Sequence, residues 1–308
     1  VGLAAITAGQ AASLENQLRF SREHEKEADR IGMKTLANAG LDPNGIPNMF
    51  EIMNQRLRYM ENKPPEFLLT HPLTENRISD SRNRAREYPR RVFPDNLDFQ
   101  LMKMRVAQSY ASSPQEFIRG LERGSNQASM AEASLYGLAL AYTDMRRYDK
   151  AWQAISELLE ADPNRIAYVE AAAEILSQQK RYREAETLLN RNLRISPRNY
   201  PLSMKYAEVM LKAGQTKDAE EALDRMAKLR PNDPYVWYQL AEARGLNGNI
   251  FGVHLARVEY FILKGYLTDA QKQLGYAYNM TSSDPISRAR VKRKMIEVQE
   301  MKQDLKNL

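Results

Sequence analysis

Tyr148-Asp149-Lys150-Ala151, Tyr182-Arg183-Glu184-Ala185 and Thr216-Lys217-Asp218-Ala219 recur 34 residues apart. Pro163, Pro197 and Pro231 keep the same spacing, as do Ala139, Ala173, Ala207 and Ala241. A period of this size is the mark of a solenoid, in which each unit buries its apolar face only against its neighbours. A small residue in mid-helix lets a second helix pack close, and the proline closes each unit. The expected class is all-α.

This pattern resembles the tetratricopeptide (TPR) repeat, two antiparallel helices per unit. Clear repeats are expected over about 132–165, 166–199 and 200–233, then irregularity to 308. The next comparable motif, Leu267-Thr268-Asp269-Ala270, lies 51 residues after Ala219, one and a half periods on. A helix over about Asn249–Leu263 is therefore either shared between units or turned aside. Residues 97–124 read as a degenerate first pair with Leu101, Met104 and Ala107 on one face. Residues 284–307 read as a charged end cap. The lone His254 reads as structural.

In a TPR array the first helix of each pair lines the concave surface. The resemblance then puts Leu140, Glu174, Glu208 and Glu242 in that groove, with Tyr136, Glu170, Met204 and Tyr238 four positions earlier. Such a groove is acidic with aromatic and methionine contacts. It suits an extended polypeptide and opposes a nucleic-acid role, which needs cations facing the phosphates. The other reading makes these glutamates ordinary solvated helix positions. A net charge of +6 over 308 residues adds little to either case.

Ahead of the repeats, Pro89 and Pro94 with Asp95-Asn96 mark a boundary, giving domains 1–95 and 96–308. Residues 1–12 are small and apolar, fitting a buried helix or a loop tail. Gly40 followed by Leu41-Asp42-Pro43 reads as a helix stop and restart. Ile31 and Leu36, then Ile46, Met49, Phe50, Ile52, Met53 and Leu57, follow helical spacing. Arg82, Arg84, Arg86, Arg90 and Arg91 form a basic run, read as a solvated helix end or as an interface with the second domain. There is no cysteine, which removes disulfides and thiolate metal sites. No apolar run approaches the ~20 residues that span a bilayer.

The chemistry-bearing stretch is Ser21-Arg22-Glu23-His24-Glu25-Lys26-Glu27-Ala28-Asp29. Glu25 and Asp29 stack on one helix face, so Glu25 can offer a carboxylate to a metal while Asp29 orients or relays a proton beside it. Further on stands Phe67-Leu68-Leu69-Thr70-His71-Pro72, with Arg77-Ile78 after it. A lone histidine is most often a structural hydrogen-bonder. Beside Glu25 it is equally a candidate ligand.

The S-R-x-x-E-x-x-A-D pattern, the Thr-His-Pro loop and the TPR array together resemble the HtpX-like gluzincin family of zinc metallopeptidases, in its BepA-like periplasmic branch. The implied architecture is the C-terminal part of a metalloprotease domain followed by a TPR α-solenoid. The implied function is a zinc metalloendopeptidase in quality control and assembly of outer-membrane proteins, in the periplasm of a Gram-negative bacterium. Glu25 is then a zinc ligand, Asp29 a catalytic helper, and His71 a possible inhibitory ligand in the place of the attacking water. The family's H-E-x-x-H, source of two ligands and the general base, occurs nowhere in the 308 residues. With Val1 as the first residue, the chain is expected to be a fragment, inactive alone, with zinc weakly bound or absent. The alternative is a non-catalytic TPR scaffold or chaperone for an extended polypeptide. The expected partners are a protein substrate or the outer-membrane assembly machinery, and no nucleic acid. Peripheral membrane contact by the parent protein, and a dimer through the exposed protease-domain surface, complete the expectations.

Overall fold

The computed structural model describes residues 23–59, 71, 73–89, 91–93, 96–122 and 128–306. The stretch 1–12, the Ser21-Arg22 start of the carboxylate motif, residues 60–70 and Pro72 lie outside them, as do Arg90, Pro94 and Asp95. The described residues are helical with no strand, in two compact units, residues 1–95 and 96–308.

The first unit contains α1 (residues 23–38), α2 (Gly45–Arg58) and α3 (Glu75–Ala85). Gly40, at φ +74°, ends α1 as the sequence predicts: Leu41 N–H reaches back to the Leu36 carbonyl at 3.0 Å and Gly40 N–H to Ala37. That is the Schellman pairing, which satisfies carbonyls a helix end leaves open. Thr74 caps α3, its hydroxyl accepting from Arg77 N–H. The buried apolar residues here are few, chiefly Met33, Phe50, Ile78 and Ala85. The expected apolar sides are only partly used: Ile31, Met49 and Ile52 are exposed.

The second unit begins with α4 (Leu97–Tyr110) and α5 (Pro114–Glu122), both packed on α6 (Ala128–Asp144). Leu101 and Met104 are buried while Ala107 is not. Helix α6 pairs with α7 (Tyr148–Ala161), α8 (Ile166–Gln178) with α9 (Tyr182–Ile195), and α10 (Tyr200–Lys212) with α11 (Thr216–Leu229). Then come α12 (Pro234–Leu246), α13 (Ile250–Leu263), α14 (Leu267–Asn279) and α15 (Pro285–Lys306). Ala139, Ala173, Ala207 and Ala241 are all buried, as are Ala151, Ala185 and Ala219. Those small side chains are what lets the paired backbones approach.

Each hairpin turns at one residue in the left-handed region: Arg146, Lys180, Gly214 and Gly248, 34 residues apart. The following N–H closes the same bond every time, Arg147 to Tyr142, Arg181 to Leu176, Gln215 to Met210 and Asn249 to Arg244, at 2.8–2.9 Å. The turn then recurs after only 17 residues, at Gly265, with Tyr266 N–H on the Phe261 carbonyl. Helix α13 is thus second member of one hairpin and first member of the next, shared rather than turned aside. A polar clamp fixes it to the regular array. Arg244 donates to Asp224 at 2.7 Å and to the Gly252 carbonyl at 3.0 Å, while Asn247 and Asn249 both donate to Glu220. Gly252 leaves room for its cap: a Cβ there would meet the Asn249 side chain at 2.6 Å and displace the cap. The last helix is more than a solvated cap: Val291 and Val298, seven residues apart, are fully buried with Leu274 and Ala277 of α14.

Candidate functional site

In the first unit, α1 and α3 bring the predicted carboxylates together with a residue that the sequence reading gave no role. Arg77, at the capped start of α3, holds Asp29 with two parallel bonds, Nε to Oδ2 at 2.8 Å and Nη2 to Oδ1 at 2.7 Å. The same Nη2 lies 3.0 Å from Glu25 Oε2. The guanidinium also sits over the Phe50 ring, 5.1 Å from its centroid, a cation–π placement. A planar fork matched to carboxylate geometry is why arginine serves here. The Asp29 hydrogen bond, working against desolvation, raises the Arg77 pKa further above its ordinary value. Arg77, Asp29 and Glu25 side chains are only 11–15% exposed.

The other Glu25 oxygen, Oε1, is in contact with His71 Nδ1. His71 itself is largely solvent-exposed, at 63%. Glu25 is therefore held between one buried cation and one exposed imidazole, and both Asp29 oxygens are engaged by Arg77. Arg77 stood in view after the Thr-His-Pro stretch, but its pairing was hidden because its partners lie 48 and more residues away.

A catalytic zinc takes three protein ligands and an open position. Glu25 and His71 supply two, and no set of three or more His, Cys, Asp or Glu suited to a metal exists among the described residues. The described residues thus do not make a complete zinc site.

In the second unit a groove of about 890 Å³ runs between α4, α8, α10 and the start of α12, and Glu170, Met204 and Glu208 line it. Its glutamates are paired, which changes the expected charge. Glu170 takes Arg105 at 2.8 Å. Lys205 lies between Glu174 at 2.9 Å and Glu208 at 2.6 Å, and Lys212 reaches Glu208 at 2.7 Å. Desolvation alone would raise the Glu174 pKa, but Lys205, Gln178 and Lys212 hold it at about 2. The groove is a mosaic of both signs rather than an acidic surface. Tyr136 is fully buried, its hydroxyl accepting from Arg105 Nε and its ring 6.0 Å from Tyr168, so it is not open to a ligand. Leu140 is half-buried in the same core. Tyr238 is exposed and stacks near Tyr260, and Glu242 is exposed. The cations were legible in principle, since Lys205 and Lys212 stand beside Met204 and four residues past Glu208 in the sequence.

Comparison with known proteins finds two different family matches along the chain. Residues 1–85 match the model of peptidase family M48, and residues 176–243 that of the tetratricopeptide repeat. The putative beta-barrel assembly-enhancing protease of Vibrio cholerae serotype O1 is 38% identical over 179 residues, covering 56% of this chain and 36% of that protein. The beta-barrel assembly-enhancing protease of Escherichia coli K12 is 36% identical over 182 residues, 58% of this chain and 37% of that one. Its Yersinia pestis counterpart is 29% identical over 273 residues, 87% of this chain and 56% of that one. The chain thus spans about a third to a half of the length of these curated relatives. Among solved structures, a thermophilic TPR protein of Thermus thermophilus superposes with a TM-score of 0.41 at 17% identity, covering 65% of this chain and all of that one. The chain thus carries a segment similar to M48 peptidases over residues 1–85 and a tetratricopeptide-repeat match over residues 176–243.

Proposed function

We propose that this chain belongs to a zinc-dependent endopeptidase that works on outer-membrane proteins during their assembly and quality control, in the periplasm of a Gram-negative bacterium. The observation that carries the reading is the Glu25 carboxylate, fixed by Arg77 inside a segment that matches M48 peptidases and leads into a TPR array. When bound, zinc would polarise the scissile carbonyl and supply hydroxide as nucleophile. Glu25 presents one ligand oxygen, and Arg77 with Asp29 sets its orientation. The remaining ligands and the base belong to an H-E-x-x-H helix that is not in these 308 residues. His71, on Glu25 Oε1, stands where it competes for that ligand, so it restrains activity until it moves. The TPR groove presents the client or grips the assembly machinery.

The test uses the protein carrying both this chain and an H-E-x-x-H helix, assayed on an unfolded outer-membrane protein. Glu25→Ala abolishes cleavage and lowers zinc content, whereas His71→Ala raises cleavage. Unchanged activity and zinc in Glu25→Ala would overturn the reading. The scaffold alternative rests on the absence of the motif from this sequence. It gains if the protein carrying this chain binds an extended polypeptide without cleaving it or holding zinc, while stoichiometric zinc in this chain, by metal analysis, counts against it.

A further inference from the structure

Outside the M48-like segment and the inner groove, a larger cleft of about 1000 Å³ lies between α9 and α11, floored in part by α10. Four cations line it: Arg194, Arg198, Arg225 and Lys228. No Asp or Glu is among its described lining residues. Leu193, Pro197, Met226 and Leu229 give it apolar walls. All four cationic residues are exposed. The one ion pair found among them, Arg225 with Glu221, is at 4.0 Å with both side chains largely in solvent, a pair of little strength.

Cations near helix C-termini ordinarily answer the helix dipole, and α9 and α11 both carry acid in the first turn and base in the last. Here, however, two adjacent helix ends and the loop between repeats turn their cations into one cleft over apolar side chains. The weak Arg225–Glu221 pair and the acids Glu186 and Asp218 near Tyr206 compensate these cations only in part, and a ligand bringing carboxylates is favoured there.

We propose that this outer cleft docks an acidic, partly apolar segment of a partner polypeptide. Its shape decides against a membrane surface: the apolar walls are recessed between α9 and α11 with α10 beneath them, a channel which a chain segment enters and a bilayer does not. It also decides against single-stranded nucleic acid, which needs stacking platforms beside its cations, since the lining offers a single aromatic, Tyr206. The groove-binding logic is that of an extended or helical segment laid along an apolar channel with complementary charge at the rim.

The probe is a short fluorescein-labelled peptide of alternating Leu and Glu, followed by anisotropy on the full chain. Binding is expected, weakening as salt rises. The double variant R194E/R225E is expected to bind about tenfold more weakly. The control R257E/K264E makes the same change of net charge on exposed positions of α13 and the turn after it and is expected to leave the affinity unchanged. Exposed positions keep both variants folded, which circular dichroism verifies. Equal affinity in all three proteins, or no binding to any, overturns the proposal. So does retention on phosphatidylglycerol vesicles that R194E/R225E alone abolishes in the absence of peptide binding, or a self-associated state that R194E/R225E dissociates in sedimentation.

Discussion

Replacing Arg77 by Ala leaves Glu25 and Asp29, both poorly solvated, without the cation that holds them. Bonds to charged groups are worth about 1.5–3 kcal/mol each, and an abandoned partner keeps its desolvation cost. The expected loss for the first unit is about 2 kcal/mol, read as faster hydrogen exchange of amides in 23–38 and 75–85. Arg77→Lys is expected to recover little, because an ammonium cannot make the paired bonds. In the inner groove, Glu174 titrates at about 2 when folded, below the usual carboxylate value of about 4.3. The unfolded chain therefore binds more protons in between, so this contribution is full above roughly pH 4.3 and is lost as pH falls toward 2. Glu174→Gln is expected to flatten the fall of the urea midpoint over that window. At this scale the sequence revealed what a motif can carry, such as Glu25 beside Asp29. It concealed the long-range counter-ions, because Arg77 reaches Asp29 and Lys205 reaches Glu174 across folds of the chain rather than along it.

The hairpin turns allow a matched comparison of elements. The same left-handed position is filled by Lys180 in one repeat and by Gly214 and Gly248 in later ones. A non-glycine residue pays roughly 1–2 kcal/mol there. Lys180→Gly is expected to stabilise the array by about 1 kcal/mol, and Gly214→Ala, with nothing within 4 Å of the new methyl, to destabilise it by about as much. Urea unfolding of the full chain measures both. Arg244→Met breaks the clamp on α13, with faster exchange confined to 250–279 as the expected sign. The repeats were readable because their code is volume, small residues at fixed steps, and volume is written directly in residue type. The break in period was equally readable. That α13 serves two hairpins was not, since a missing half-unit looks the same in sequence whether a helix is shared or displaced. Helix α15 misled for another reason: a two-valine stripe is invisible among so many charges.

Across the whole molecule the chain divides at residues 95 and 96 into two compact units. Limited proteolysis is expected to cut between 89 and 96 and release a product that keeps its helical circular dichroism. Loss of that signal on cleavage would show that the units are not independent. The half-period step at α13 has a further consequence for the array. Leu255 and Glu259 stand 51 residues after Met204 and Glu208, yet they line a cleft shared with α11 and α15 instead of the groove shared with α8 and α10. The slip exchanges front for back. Positions that face the α8–α10 groove in the regular repeats thus face the α11–α15 cleft after the half-period step, so whole repeats added before α13 would extend the groove and leave that cleft unchanged.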